Sequence, residues 1–140
     1  MKKKLMIGLS LLPLFAQSSE LKTFSEIRHA FSQGSELTFV ISLKKCQSDR
    51  SLGDITISTK PEAIMLIQNK KLTASNKHFT LNDPSFSGSP VIEYNKYTIN
   101  MKGDAELMTT VMDARDYHPL ANHKINCELG KGFLVFDKNE

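Results

Sequence analysis

Apolar and polar positions change period along this chain, and the changes divide it into elements. Leu5 to Phe15 is almost free of polar groups, with Lys2, Lys3 and Lys4 before it and Ala16-Gln17-Ser18 after it. Beyond that run, Phe24, Ile27, Ala30 and Phe31 recur at helical spacing within LKTFSEIRHAFSQG. Thr23 is placed to cap this helix, Glu26 to reach back to the cap, and Gly34 to end it. His29 lies beside the apolar stripe and reads as a partly exposed helix residue.

From residue 37 the period is two. In LTFVISL, Leu37, Phe39, Ile41 and Leu43 alternate with Thr38, Val40 and Ser42, which predicts a half-buried strand ending just before Cys46. DITIST and EAIMLIQ predict the next strands, punctuated by Gly53 and Pro61, and KLTASNKHFTL a further extended segment. In PVIEYNKYTINM the alternation slips phase between Tyr94 and Tyr97. A two-residue turn at Asn95-Lys96 accounts for the slip. It predicts a hairpin with Tyr94 opposite Tyr97 and Ile92 opposite Ile99, all four on one face. Lys102-Gly103-Asp104 marks the turn before the strand AELMTTVM. INCELGKGFLVF predicts a last hairpin turning at Gly130-Lys131, in which Cys127 shares a core-facing side with Ile125, Leu134 and Phe136. The longest loop is LNDPSFSGSP, residues 81–90. One helix and then roughly eight strands predict an α+β fold, an N-terminal helix packed on a mainly antiparallel β-sheet arranged as a barrel or a sandwich.

The charged start, short apolar run and small residues of the N-terminus have the layout of a secretory signal, and the run is too short to span a bilayer. Residues 1–18 are therefore expected to be a signal peptide and residues 19–140 a single domain, with no integral membrane segment after cleavage. This changes the charge argument. The chain has 18 Lys and Arg against 15 Asp and Glu, and the three leading lysines leave with the signal, so the remainder is balanced. The basic character belongs to the precursor, and no nucleic-acid partner is expected. An exported chain meets an oxidising compartment, where Cys46 and Cys127, the 2 cysteines, have one possible intramolecular pairing. Closing that loop stabilises the fold by roughly 4 to 5 kcal/mol in the chain-entropy model.

The densest polar chemistry is DARDYHPLANHKINC, residues 113–127. Asp113, Asp116, His118 and His123 could form a loop metal site. The two histidines are five apart with Pro119 between them, which is not the spacing that aligns ligands on a helix. There is no G-x-S-x-G elbow, a paired cysteine is no nucleophile, and with 0 Trp nothing marks a sugar cleft. No catalytic residue and no cofactor are expected. DARDYHPLANH reads instead as a solvated connection held to the core by Tyr117 and Leu120.

The opening LKTFSEIRHAFSQGSELTFVISLKKC is similar to that of the VirK protein family, through Phe24, Phe31, Gly34, Val40, Leu43 and Cys46. The closing CELGKGFLVF resembles the family's end pattern, through Cys127, Leu129, Gly130, Gly132 and Phe133. The resemblance implies a small exported protein of Gram-negative bacteria that live with hosts, associated with virulence. It implies no reaction, cofactor or catalytic residue. The expected function is a non-enzymatic one, binding an unidentified protein of the host or of the bacterial envelope. The contact surfaces would be the loops 82–90 and 113–124 or an exposed sheet edge. The alternatives are a carrier of a small lipid-like ligand and a metal-dependent hydrolase.

Overall fold

A computed structural model describes residues 18–138. The expected signal peptide lies outside them except for Ser18. The order of elements is β1 (Ser18–Leu21), α1 (Phe24–Ser32), β2 (Glu36–Ser42), a 3-10 turn at Leu43–Lys45, β3 (Gln47–Ser48), β4 (Thr56–Thr59), β5 (Ala63–Ile67), β6 (Lys71–Thr80), β7 (Val91–Asn100), β8 (Asp104–Asp113), β9 (Pro119–Glu128) and β10 (Phe133–Lys138).

The helix forms as its sequence dictates. Thr23 Oγ1 accepts from the Glu26 N–H at 3.2 Å while Glu26 Oε2 accepts from the Thr23 N–H at 2.8 Å, the two halves of a capping box. Phe24, Ile27 and Ala30 are buried. At the other end Gly34 adopts φ +79°, and the Ser35 N–H reaches back to the Ala30 carbonyl at 3.0 Å, a Schellman closure that a left-handed glycine permits.

The strands make two antiparallel sheets, of order β1-β10-β2-β4 and β3-β9-β8-β7-β6-β5. One core lies between them. Phe39, Ile41, Phe133 and Val135 of the four-stranded sheet share it with Leu72, Tyr97, Ile99, Leu107 and Ile125 of the six-stranded one, and α1 adds Phe24 and Ile27. At its centre Phe39 meets Phe133 at 5.1 Å and Tyr97 at 5.4 Å between ring centroids. Each fully buried aromatic contributes about 1.5–3 kcal/mol from apolar area alone. The sheets keep separate edges, so the arrangement is a sandwich-like pair and the barrel alternative is not realised.

The disulfide forms. Cys46 and Cys127 are joined, with Cα atoms 4.6 Å apart across a sequence separation of 81. It ties the connection leaving β2, in one sheet, to β9 in the other.

Three details of the sequence reading are corrected. β7 runs unbroken through Asn95 and Lys96, with Asn95 paired to Asn76 on one side and Thr109 on the other, so no turn exists there. Tyr97 is 1% exposed and Tyr94 40%, because they point to opposite faces. Second, β9 and β10 do not pair as a hairpin: the turn at Gly130-Lys131 carries the chain from one sheet to the other. Phe133 and Val135 therefore point inward and Leu134 and Phe136 do not, whereas Ile125 and Cys127 are buried as expected. Third, the connection 113–124 is mostly strand. Only residues 114–118 separate β8 from β9, and Tyr117, at φ 62° and 56% exposed, does not anchor them.

Candidate functional site: a cleft between the sheets

The inner face of the six-stranded sheet is built in rows across β6, β7, β8 and β9. Ala74, Tyr97, Leu107 and Ile125 form one apolar row. The next row toward the open end is Asn76, Asn95, Thr109 and His123, and the one after it begins His78, Glu93, Val111. Strand alternation is intact throughout. Only the chemistry of the inward positions changes, from apolar to polar.

The change coincides with a cleft of about 490 Å³ between the two sheets. Its floor is apolar, from Leu43, Leu52, Ile55 and Ile57 on one side and Leu107 and Ile125 on the other. The polar rows form a wall, and Arg50, Asp83 and Ser85 stand at the mouth. A concave, largely apolar space with a few convergent polar groups is the usual form of a small-molecule site.

The wall is held by its own hydrogen bonds. Tyr97 Oη donates to Asn76 Oδ1 at 2.9 Å, Asn76 Nδ2 to Thr59 Oγ1 at 2.9 Å, and Thr109 Oγ1 to Asn95 Oδ1 at 2.6 Å. Burial pushes the Tyr97 phenol up to about 12, so it stays a donor at any physiological pH. No hydrogen bond among the described residues occupies the Asn95 amide nitrogen.

The disulfide builds the mouth. It fixes Cys46 against β9, and β3 then pairs Ser48 with Ile125. Two residues on, an Arg50 guanidinium nitrogen reaches His123 Nε2 at 2.8 Å and Ser85 Oγ at 3.1 Å. Arginine only donates, so His123 accepts through Nε2 and carries its proton on Nδ1. That nitrogen is buried without a partner. Burial first, and then the Arg50 charge, hold the His123 pKa below its ordinary value, and the ring is neutral.

Asp83 is 7% exposed, and its Oδ1 accepts from the backbone N–H groups of Ser85 at 2.7 Å and Phe86 at 3.1 Å. These bonds shape the loop 81–90. Beside it, burial pushes the Glu93 carboxyl above the usual range; His78 opposes the shift and Asp83, within hydrogen-bonding reach, adds to it.

The expected polar set divides. Asp113, Asp116 and His118 do converge, with one ligand atom from each within 4.8 Å of the others. The space is already used. Arg115 Nε and Nη2 take both oxygens of Asp113, at 3.0 and 2.7 Å, and His118 bonds to Asp116. Arg115 holds Asp113 far below the usual carboxylate range. A metal ion would have to displace a bidentate guanidinium, which these residues do not favour. His123 is not part of this group; it belongs to the cleft.

The sequence reading missed Arg50, Asp83, Glu93, Asn76, Asn95 and Thr109. The one signal that pointed to them was the phase slip in β7, where the inward positions Glu93 and Asn95 are polar.

Fold and site together define a class: a disulfide-tied pair of antiparallel sheets, with one helix and a cleft between the sheets. The VirK protein family model matches residues 20–117, and this chain belongs to that family. The opening residues Phe24 to Cys46 lie inside the matched span, and the closing pattern from Cys127 to Phe133 lies beyond it. The crystal structure of a VirK family protein from Legionella pneumophila is similar at 44% identity, covering 84% of this chain and 98% of that one, with a TM-score of 0.81. A protein of Sinorhizobium fredii, described as uncharacterized, is 27% identical over 126 residues, 85% of this chain and 83% of its own length.

Proposed function

We propose that this chain is an exported protein with a virulence-associated role, that it acts by binding without a reaction of its own, and that it binds a small molecule in the inter-sheet cleft. The observation that carries the reading is the cleft, with its apolar floor and its wall of oriented polar groups. Export is supported by the disulfide, which persists in oxidising compartments, and by the charged, apolar N-terminus. Among the described residues no helix is long and apolar enough to cross a membrane.

Native mass spectrometry of protein purified from its own producing cells tests the reading. The expected result is a bound small molecule that is lost in an Ile57→Trp variant, whose indole fills the cleft from β4. An identical ligand load in a folded Ile57→Trp protein would place the site elsewhere. Immunoblotting of culture supernatant against periplasmic extract, with a periplasmic marker, tests export and its end point.

A protein partner of the host or the envelope is the second reading. It is favoured by Phe79, 60% exposed, and Tyr94 on the outer side of β6 and β7, with Leu81, 49% exposed, at the start of the loop 81–90.

A further inference from the structure

This inference rests on the cleft as a small-molecule site and names the chemistry it selects. We propose that the cleft takes an amphipathic amine, its ammonium group received by Asp83 and Glu93 at the wall and its apolar body laid on Leu52, Ile55, Ile57 and Leu107.

Charge is the first argument. Asp83 and Glu93 both line the cleft, and no Lys or Arg pairs with either among the described residues. The guanidinium of Arg50 is bonded to two neutral acceptors, Ser85 and His123. Of the other titratable groups near the mouth, His123 is neutral, His78 lies opposite Glu93 in the register, and Asp49 adds negative charge near His123. The two carboxyls thus have no cationic side chain bonded to them, and the one guanidinium at the mouth is turned to other acceptors. A cationic guest supplies the missing partner.

Hydrogen bonding is the second. Asp83 is more than nine-tenths buried, yet both backbone donors to it use Oδ1. Its Oδ2 receives no N–H among the described residues, and the Glu93 carboxyl lines the same cleft beside it. Burial favours the protonated form of the Glu93 carboxyl, and a cation beside it favours the carboxylate. An ammonium supplies that charge and three donors. The floor beyond the pair is apolar and offers no group to a second charge.

The test is isothermal titration calorimetry on the oxidised protein with octylamine, octanol and octanoate, which share a tail and differ in the head. The expected result is octylamine binding at least tenfold tighter than either of the others. Over a pH series, affinity for the amine should rise as Glu93 loses its proton. Glu93→Gln should cut the preference for the amine about tenfold while octanol affinity holds. This variant is chosen because Asp83 supports loop 81–90 and Glu93 accepts no backbone bond. Equal binding of amine and alcohol, or tighter binding of octanoate, would overturn the amine assignment and leave the cleft reading standing. If none of the three binds to folded protein, the cleft reading fails as well.

Discussion

Gly132 offers a sharp test of how the disulfide is accommodated. It lies in the turn that takes the chain from β9 to β10, and a Cβ built there would stand 2.6 Å from Cys46 Sγ and 3.0 Å from the Lys45 carbonyl oxygen. Ordinary heavy-atom contacts fall at about 3.5–4 Å, so the overlap with sulfur is about 1 Å. Neither side can easily give way. The Gly132 carbonyl accepts from the Ser42 N–H at 2.9 Å, its own N–H donates to Glu128 at 3.1 Å, and the sulfur is bonded to Cys127. Gly132→Ala should therefore destabilise the oxidised protein by about 1–3 kcal/mol, the range for overpacking a close-packed site. Equilibrium urea unfolding measures this, and the same substitution in a Cys46→Ala, Cys127→Ala background separates the causes. With the sulfurs gone, at least half of the penalty should vanish, the remainder belonging to the Lys45 carbonyl. Gly130→Ala is the control. Gly130 has φ +81° with no atom within 4 Å of its built Cβ, so it should cost about 1–2 kcal/mol from backbone strain in both backgrounds. An equal Gly132→Ala penalty with and without the sulfurs would refute the reasoning.

Removing the disulfide with both Cys→Ala changes should cost about 4.5 kcal/mol, from the loop closed across 81 residues, and non-reducing mass spectrometry should find the native chain two hydrogens lighter than the dithiol. Tyr97→Phe leaves Asn76 Oδ1 without its donor and should cost about 1 kcal/mol in urea unfolding. Because the folded state holds the Tyr97 proton up to about 12, wild-type stability should fall as pH rises above about 10, the ordinary tyrosine value, and Tyr97→Phe should flatten that decline. Asp113 has the opposite sign. Its carboxylate is favoured by Arg115 in the folded state, so its stabilisation is present above about pH 4 and is lost as pH falls below it; Asp113→Asn should weaken the acid-side slope of the urea midpoint. For the metal-dependent hydrolase alternative, His118→Ala and His123→Ala should not act as one site, since the two lie in different parts of the fold. Elemental analysis of the native protein showing one metal equivalent, abolished by either change alone, would contradict this.

Local rules in the sequence carried much of the fold. The capping box of α1, the alternation of β2, the turn at Lys102-Gly103-Asp104 and the single cysteine pairing each depend on neighbours or on a count, and each is found in the structure. What was not legible depends on which surface lies opposite. Glu93 read as outward and Asn95 as part of a turn, because polar inward positions look the same as a change of face and a turn was the simplest local explanation. The turn at Gly130-Lys131 is chemically a hairpin turn, and nothing in it tells that the strands on either side join different sheets. Ala121 and His123 gave β9 no apolar alternation, since that end of the strand faces the cleft. The site was hidden for the same reason that it exists: its residues occupy core-facing positions with surface chemistry.

The position of β10 sets a timetable for folding. It lies between β1 and β2, and among the described residues β1 has no other strand partner, so the four-stranded sheet has an empty lane until β10 is delivered. Cys46 likewise waits for Cys127. A chain that emerges amino end first can close neither the disulfide before Cys127 nor the sheet before Phe133–Lys138 has appeared. The unfinished chain keeps Phe39 and Ile41 uncovered by their final neighbours and stays open. Loss of residues 133–138 would remove an inner strand of the four-stranded sheet, not its edge.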